Sequence, residues 1–382
     1  MGELLKVASS VKVPPNPVVL VNHSVEPPGK ITGISRYTFG LLGALMPRID
    51  ARFILATTWR KQQLPKNIAS GVDTVVTLPY ISSKPLNYIR QRREIPLIAR
   101  QFSANVVYAT NPTCPAVKGI PSVITVHDLY LDVLPELYKR RHRLWWKLLF
   151  ADAARQSSRI AFASANSAAD AVRLYPFMQD KVSVVAGAGA LPHTRRALDS
   201  SFEGAPYVVL IGNVTPNKNV AFVVDALKVL YRRGTPIRAL HIGTDVSGDL
   251  ARAVSEGAEG LLQCLGNIDD ADADAVLRHA TALVQPSRYE GFGLPIIEAH
   301  ERGVPVIASD IGVFREIAGE GAIFIPLGDV YRLADALHAI TTNPTLRSTL
   351  SAKAEVNSRR FTWQRSADAA VSVIRDLVEG ER

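Results

Sequence analysis

Two glutamates on either side of a glycine-rich loop are the residues whose types and spacing best suit chemistry. Glu290 precedes the loop and Glu298 follows it by eight positions, in the segment P-S-R-Y-E-G-F-G-L-P-I-I-E-A-H that begins at Pro286. Glycines allow a ligand to approach the backbone closely, and a helix that begins near Pro295 turns its free N–H groups towards negative charge. The pattern therefore predicts a site for a sugar diphosphate.

This segment resembles the E-x7-E signature of retaining glycosyltransferases of family 4, which have the two-domain GT-B fold. The following G-V-P-V-I-A-S, from Gly303, extends the match. In that family the first glutamate contacts the donor sugar and the second holds the nucleotide ribose, which implies these roles for Glu290 and Glu298. The resemblance also implies donor contacts from the loop between them, formed by Gly291, Phe292, Gly293 and Leu294.

A second motif, I-G-N-V-T-P-N-K-N from Ile211, is similar to the family's G-x-x-x-P-R-K-N. The basic residues of that motif bind the donor diphosphate and stabilise the departing charge, which implies a catalytic and donor-binding role for Lys218 as a point charge. Asn217 stands where many relatives have arginine. Arg288 and Arg36 are alternative sources of the second cation.

Two segments in the first half of the chain also resemble the family. The stretch V-N-H-S-V-E-P-P-G-K-I-T-G-I-S-R-Y is similar to its glycine loop, in which Gly33 would bring the backbone to the diphosphate. The stretch T-V-H-D-L-Y-L-D, from Thr125, is similar to its H-D segment and implies that His127 bonds a sugar hydroxyl. An ordinary turn glycine and a structural histidine are the alternatives.

The acidic run D-D-A-D-A-D-A from Asp269 contains D-x-D, which binds a metal-nucleotide complex in other glycosyltransferases. Here the run precedes the helical A-V-L-R-H-A, so we interpret its acids as the cap and first turn of a helix. We expect no metal and no other cofactor beside the nucleotide-sugar substrate, and activity that survives EDTA.

The elements that must position these residues alternate between short apolar runs, typical of buried strands, and helical patterns. Each half of the chain therefore reads as a doubly wound α/β unit, and the fold class is α/β with two Rossmann-like domains facing a cleft. We predict an N-terminal domain at 1–195 and a donor domain at 196–360, joined through the polar stretch Pro192–Pro206. A C-terminal helix at 361–382 crosses back to the first domain, as the family's closing segment does.

Composition is that of a globular protein, with 47% hydrophobic and 21% charged residues in 382. The net charge of +9 is uneven, because residues 1–203 hold 26 Lys+Arg against 13 Asp+Glu and the remainder holds 18 against 22. This asymmetry favours an anionic partner for the first half, either a membrane surface or a nucleic acid. Solvated helix faces are the alternative.

Two basic clusters, each containing aromatic and aliphatic residues, make up much of that excess. Tryptophan beside Lys and Arg is typical of a helix at an anionic lipid surface, although tryptophans packed in the core are the alternative. The candidate acceptor or membrane contacts are Arg36, Tyr37, Arg90, Arg92, Arg93, Arg140, Arg141, Trp145 and Trp146. The sequence contains no recognisable RNA- or DNA-binding motif, so we expect no nucleic-acid partner.

The resemblance implies a retaining hexosyltransferase. T-G-I-S-R-Y, H-D-L and P-S-R-Y-E-G-F-G-L-P together look most like bacterial mannosyltransferases of exopolysaccharide and O-antigen assembly, including those that use GDP-mannose on a cellobiosyl diphosphopolyprenol. A UDP-sugar donor, or a non-hydrolysing UDP-sugar epimerase of the same fold, is the alternative. The sequence does not support an NAD dehydrogenase, because neither half has the G-x-G-x-x-G motif after its first strand.

We expect a cytoplasmic protein that is peripheral at the inner face of the cell membrane, acting on a polyprenyl-diphosphate-linked or other lipid-linked glycan. The N-terminus does not resemble a secretory signal, and no window approaches 18 uninterrupted apolar residues. The two cysteines, Cys114 and Cys264, are far apart in sequence, which fits a reducing compartment and predicts neither a disulfide nor a zinc site.

Overall fold

The chain is described from a computed structural model, which covers residues 16–202, 204–255 and 260–380. The N-terminal residues, on which the prediction about a secretory signal rests, lie outside these described ranges. None of the helices in the described part is both long enough and apolar enough to cross a membrane.

The first half of the chain builds a seven-stranded sheet in the order β3-β2-β1-β4-β5-β6-β7. Its strands are β1 (Val18–His23), β2 (Arg52–Thr57), β3 (Thr74–Thr77), β4 (Val106–Ala109), β5 (Ser122–Val126), β6 (Arg159–Phe162) and β7 (Val182–Val184). The helices between them are α1 (Gly33–Leu45), α2 (Lys66–Gly71), α3 (Lys84–Gln101), α4 (Tyr130–Val133), α5 (Arg140–Gln156) and α6 (Ala165–Leu174).

The second half builds a six-stranded sheet in the order β10-β9-β8-β11-β12-β13. Its strands are β8 (Tyr207–Ile211), β9 (Arg238–Ile242), β10 (Leu262–Gly266), β11 (Ala282–Gln285), β12 (Val306–Ser309) and β13 (Ala322–Ile325). The helices are α7 (Val220–Arg232), α8 (Asp249–Ser255), α9 (Asp270–His279), α10 (Leu294–His300), α11 (Gly312–Ala318), α12 (Val330–Thr342), α13 (Pro344–Ser358) and α14 (Trp363–Gly380).

The central strands are buried on both faces, which explains their near-continuous apolar sequences. All six residues of β1 are buried, and this strand pairs in parallel with β2 and β4, with Val19 opposite both Phe53 and Val106. In the second sheet β8 pairs in parallel with β9 and β11. Parallel sheets with helices on both faces require this pattern, so the predicted fold of two parallel-sheet Rossmann-like domains is confirmed.

The chain divides into two compact units. One takes the residues up to Thr125, then Leu148–Ala161 and the residues from Ala367 onward, and the other takes Val126–Lys147 and Phe162–Ser366. The domain limits at residues 195 and 360 stay predictions. Residues 185–199, which include most of the expected linker, contain no helix or strand.

The second sheet reverses its strand order between β8 and β11. In open α/β sheets, ligands bind beyond the carboxyl ends of the strands at such a switch point. The loop that follows β8 contains Lys218, and the loop that follows β11 contains Glu290. The topology therefore brings the two strongest sequence motifs to one edge of the same sheet.

Candidate functional site

The centre of the site is an ion pair between the two motifs. The Lys218 ammonium nitrogen Nζ lies 2.5 Å from the Glu290 carboxylate oxygen Oε1, and the two side chains are 24% and 13% exposed. The Ser287 hydroxyl donates to the same Oε1 at 2.7 Å. A charge-assisted hydrogen bond of this kind is short and directional, so the Glu290 carboxylate is held in place from two sides while remaining accessible.

Gly291 is required for its size. A Cβ atom at this position would lie 1.5 Å from the His127 carbonyl oxygen and 2.6 Å from the His127 carbonyl carbon, both of which are backbone atoms. The Gly291 carbonyl in turn accepts hydrogen bonds from the Ser164 and Ser167 hydroxyls at 2.7 and 2.9 Å. These contacts fix the peptide that follows Glu290.

The rest of the loop turns directly into α10. Gly293 has φ +106, a left-handed conformation that favours glycine, and α10 starts at the next residue with Pro295 in its first turn, as predicted. The Phe292 side chain is 6% exposed and packs edge-on against Phe361 at 5.6 Å between ring centroids. The Phe292 ring is therefore packed inside the protein, and Leu294 is half-buried. The donor contacts predicted for both residues stay predictions.

The side-chain amide of Asn217 is held by three hydrogen bonds to other groups of the protein. Its side chain is buried, its Oδ1 accepts from the Thr215 hydroxyl at 2.7 Å and the Tyr138 hydroxyl at 3.0 Å, and its Nδ2 donates to the Tyr289 carbonyl at 3.2 Å. With these bonds made, the amide shapes the Lys218 turn. The donor contact predicted for Asn217 stays a prediction, and these bonds show that its Oδ1 is engaged by two hydroxyl groups of the protein.

The turn that carries Lys218 is anchored to the sheet by His241 on β9. The His241 ring nitrogen Nε2 lies 2.9 Å from the Gly212 carbonyl oxygen, and burial lowers the pKa of His241, so the neutral ring donates this bond. The same carbonyl packs so closely on Gly243, at φ +140, that a Cβ there would lie 2.3 Å from the oxygen. Beside the turn is a shallow depression lined by Gly212, Lys218, His241, Gln285 and Ser287 among others.

Glu298 lies on α10, about one turn into the helix as predicted, and is 5% exposed. Its Oε1 accepts from the backbone N–H groups of Ala190 and Leu191 at 3.3 and 3.0 Å. The carboxylate thus holds the segment that precedes the second sheet. Its role in binding a ribose stays a prediction.

Glu301, one turn further along the chain, was not singled out by sequence reasoning. Its pKa is raised to about 7, chiefly by burial and also by the charge of Glu298, while Arg302 and the Gly189 N–H act in the opposite direction. The His193 Nε2 lies 3.7 Å from its carboxylate, and the pKa of His193 is lowered by burial. This carboxyl therefore changes charge near neutral pH beside the residue 189–193 segment.

Glu301→Gln is expected to remove a pH dependence of stability. Because the folded pKa of about 7 exceeds the unfolded value of 4.5, the wild-type free energy of unfolding should fall as pH rises from about 5 to 8. Partial exposure limits this term to about 1–2 kcal/mol. Urea unfolding of both proteins at pH 5, 6, 7 and 8 measures it, and equal slopes for the two proteins would contradict the shift.

The predicted sites in the first half are placed as follows. His127 follows β5, and its carbonyl contacts Gly291 as described above. Gly33 is exposed at the first position of α1, where the Thr32 hydroxyl caps the helix by accepting from the Ser35 N–H at 3.1 Å. Thr32 also donates a short hydrogen bond to Glu26, whose pKa is raised by burial. The diphosphate contact of Gly33 stays a prediction.

Two of the basic and aromatic candidates are not at the surface. Arg90 is 7% exposed, and its guanidinium donates to Asn87 Oδ1, Glu94 Oε2 and the Ser24 carbonyl. A buried charge must be paired in this way, so its place in an exposed basic cluster was wrongly predicted. Tyr37 is 2% exposed on the core side of α1 and does not present its ring to an acceptor. Arg36, in the first turn of the same helix, is partly exposed.

The remaining candidates lie on α3 and α5. Arg92 and Arg93 are exposed on α3, and Arg92 pairs with Asp152 at 3.5 Å. On α5, Arg140 and Arg141 are exposed. Trp145 is 46% exposed, which rules out its packing in the core, whereas Trp146 is half-buried and donates its indole N–H to Asp132 Oδ2 at 2.5 Å.

The acidic run at the start of α9 caps the helix, as predicted. Asp269 accepts from the Asp272 N–H at 2.8 Å, and Arg196 bonds both carboxylates. Within the described ranges, no group of three or more His, Cys, Asp or Glu residues is arranged to hold a metal ion. Cys114 is buried and Cys264 is exposed, and both are free thiols.

Sequence reasoning missed the residues that support the predicted ones. Ser287, Ser164, Ser167 and Tyr138 contact Glu290, Gly291 or Asn217. Only Ser164 carries a local signal, because it is the N-cap of α6 and accepts from the Ser167 N–H. The others become visible only when residues distant in sequence are brought together.

Two family models match the chain. The model for Glycosyl transferases group 1 matches residues 194–356, and the model for Glycosyltransferase Family 4 matches residues 31–187. The chain is 24% identical over 271 residues to O-antigen chain mannosyltransferase B of Escherichia coli, covering 67% of this chain and 70% of that protein. It is 25% identical over 364 residues to a phosphatidyl-myo-inositol mannosyltransferase of Mycolicibacterium smegmatis, covering 89% and 88%.

Solved structures share the fold. WaaG, a glycosyltransferase involved in lipopolysaccharide biosynthesis, superposes with a TM-score of 0.73 at 14% identity, over 94% of this chain and 99% of that one. Anabaena Alr3699/HepE in complex with UDP and glucose gives 0.71 at 18% identity, over 94% and 98%. At such identities the likeness establishes the architecture.

Proposed function

We propose that this protein, whose two halves match glycosyltransferase family models and which has the GT-B fold, transfers an α-mannosyl group from GDP-mannose to a hydroxyl of a lipid-linked glycan, with retention of configuration. The observation that carries the proposal is the convergence of Lys218, Ser287 and Glu290 at the switch point of the second sheet. A carboxylate suits sugar hydroxyls, and an ammonium suits the phosphate that departs.

Mannose is supported by the names of the relatives, which include mannosyltransferases acting in O-antigen and phosphatidyl-myo-inositol chemistry. A UDP-sugar donor is the second candidate, favoured by the fold's likeness to HepE with UDP and glucose. The epimerase alternative has no comparable support among these relatives.

In the proposed reaction the bond between the mannosyl C1 and the β-phosphate oxygen breaks, and a bond between C1 and the acceptor oxygen forms on the same face of the sugar. The acceptor proton passes to the departing phosphate oxygen. Lys218 stabilises the charge that develops on that phosphate, and Glu290 orients the donor sugar. We propose that neither step uses a metal ion, so that activity survives EDTA.

The nucleotide preference is tested by thermal shift, because a ligand that binds the native state raises its melting temperature. Purified protein is melted with GDP-mannose, UDP-glucose, a dTDP-sugar and an ADP-sugar at equal concentrations. We expect the largest increase with GDP-mannose. Stabilisation by UDP-glucose and not by GDP-mannose would replace the donor, and stabilisation by none would oppose the proposal as a whole.

We further propose that the protein is peripheral at an anionic membrane, which fits a lipid-linked acceptor. One face of α5 exposes Leu144, Trp145 and Leu148, at 57%, 46% and 54%, beside the exposed Arg141. These positions share one side of a helix by their spacing of three and four residues. An apolar face that contains tryptophan and is flanked by cations suits the interface of an anionic bilayer.

The α3 helix has a similar exposed face. Leu86, Ile89 and Leu97 are 57%, 49% and 64% exposed, and the exposed Arg93 and Arg100 fall on the same side at helical spacing. Apolar side chains of this size are normally buried. Charge complementarity therefore favours anionic lipid as the occupant of this face as well.

The double substitution Leu144→Ser/Leu148→Ser is expected to weaken vesicle binding by at least about tenfold. Each side-chain CH₂ that is no longer buried in the bilayer reduces the binding free energy by about 0.8 kcal/mol. Flotation with vesicles rich in phosphatidylglycerol measures binding. The control is Leu327→Ser/Val356→Ser, which removes two leucine- and valine-sized side chains that are 47% and 65% exposed elsewhere. Unchanged flotation of the first variant, or an equal loss in the control, would rule out this face.

A further inference from the structure

Arg288 is the exception in an otherwise buried segment. Every residue from Thr281 to Ser287 is buried, as are Tyr289 and Phe292, whereas the Arg288 side chain is exposed. Its neighbour Ser287 bonds the Glu290 carboxylate, and its own N–H donates to the Asn217 carbonyl at 2.8 Å. The backbone of Arg288 is therefore pinned at the junction of the two loops that carry Lys218 and Glu290.

Without Arg288, the side chains at this junction carry no net positive charge that would attract an anion. The Lys218 ammonium is neutralised by Glu290 at 2.5 Å, and Asn217 is neutral with its amide bonded to protein groups. In the part of the chain that the structure describes, the Arg288 guanidinium makes no ion pair and no hydrogen bond. Its full charge and five donors are thus available to a ligand.

We propose that Arg288 binds the diphosphate of the nucleotide-sugar donor and supplies the second cation that Asn217 cannot provide. The inference rests on the proposed function, because it assigns a residue to the same donor site. A guanidinium matches two phosphate oxygens with a planar pair of donors, whereas Lys218 acts as a point charge. Arg288 is therefore a binding residue whose contacts strengthen as charge accumulates on the departing diphosphate.

The environment of Arg288 differs from that of an arginine that is only solvated. Solvated arginines on helices of the second unit, such as Arg332, are 71% exposed at the side chain and pair with a neighbouring carboxylate, here Asp329 at 3.2 Å. Arg288 instead follows β11 at the switch point, in a segment whose backbone is fixed on both sides. A pinned backbone reduces the ordering cost of binding.

The test compares the affinities of wild type, Arg288→Ala and Arg288→Lys for guanosine, GMP and GDP by isothermal titration calorimetry. Arg288→Ala is expected to raise the dissociation constant for GDP about 10- to 100-fold, the range for one lost charge-assisted hydrogen bond. Its dissociation constant for guanosine should stay within about twofold of wild type. Arg288→Lys should recover part of the loss, because it keeps the charge without the planar fork.

Arg332→Ala is the matched control, since it removes the same charge from the same unit and should leave GDP affinity unchanged. Equal GDP affinity in wild type and Arg288→Ala would overturn the inference, as would an equal loss for guanosine, which would indicate a structural effect. If wild type binds UDP, dTDP or ADP instead of GDP, the series is run with that base. If wild type binds no nucleoside diphosphate, the proposed function fails together with the inference.

Discussion

Glu290→Ala is expected to lower kcat for sugar transfer by at least about 10³-fold, equivalent to about 4 kcal/mol of transition-state stabilisation. The carboxylate is held by Lys218 at 2.5 Å and Ser287 at 2.7 Å, so it is oriented before substrate arrives. Removing it also frees the Lys218 ammonium. The affinity for the nucleoside diphosphate should therefore be unchanged or increased while turnover is lost.

This combination separates a catalytic role from a structural one. Steady-state turnover and calorimetric titration of GDP are measured on the same preparations, with the melting temperature as the check on folding. Glu320→Ala is the control, because that carboxylate is 82% exposed and pairs only with Lys353 among the contacts found for it. Turnover within tenfold of wild type for Glu290→Ala would falsify the assignment of this residue.

Gly291→Ala is expected to lower the free energy of unfolding by about 3 kcal/mol and turnover by at least about 100-fold. The added Cβ would lie 1.5 Å from the His127 carbonyl oxygen. Because that atom is backbone, no side-chain rotation relieves the overlap. Either the loop or the His127 strand end must move, and the Glu290 carboxylate moves with the loop.

Urea unfolding and a transfer assay measure the two effects. Gly380→Ala is the control, because a Cβ there meets open space near the end of α14. The hydrogen bonds from Ser164 and Ser167 to the Gly291 carbonyl should also be strained by the change. Wild-type stability together with wild-type activity in Gly291→Ala would show that the close contact with His127 does not exist in solution.

The fold class could be predicted from the sequence because each strand is a short apolar run that can be recognised from neighbouring residues alone. The run V-V-L-V-N from Val18 predicts β1, which is buried throughout, and Pro295 predicts the start of α10. Strand order was not written in any one segment. The regular alternation of strands and helices, with right-handed parallel crossovers, predicted a doubly wound sheet in each half, and the structure supplied the order of the strands.

The site could be predicted only where its residues lie in one continuous motif. Glu290, Gly291 and Gly293 belong to one loop, so their spacing indicated their common purpose. The Lys218 to Glu290 ion pair joins residues 72 positions apart, and the Ser164 to Gly291 bond joins residues 127 apart. No local pattern encodes such contacts, because they depend on how distant strands are placed in the fold.

The sequence was misleading where a residue type has two common environments. Arginine at position 90 shares a helix with the exposed Arg92 and Arg93, but it faces Asn87, Glu94 and the Ser24 carbonyl instead of solvent. Arg90 faces the protein because its guanidinium reaches Ser24 in the loop after β1, which α3 alone does not reveal. Asn217 is similar, since its engagement by Tyr138 could not be foreseen from the substituted motif.

The most direct test of the central claim is the transfer reaction itself. Wild-type protein is incubated with GDP-α-mannose and a polyprenyl-diphosphate-linked glycan, with and without EDTA, and the anomeric configuration of the product is determined by NMR. The expected product is an α-linked mannoside, formed at the same rate in EDTA and absent with Glu290→Ala. A β-linked product, or transfer from UDP-glucose and not from GDP-mannose, would contradict it.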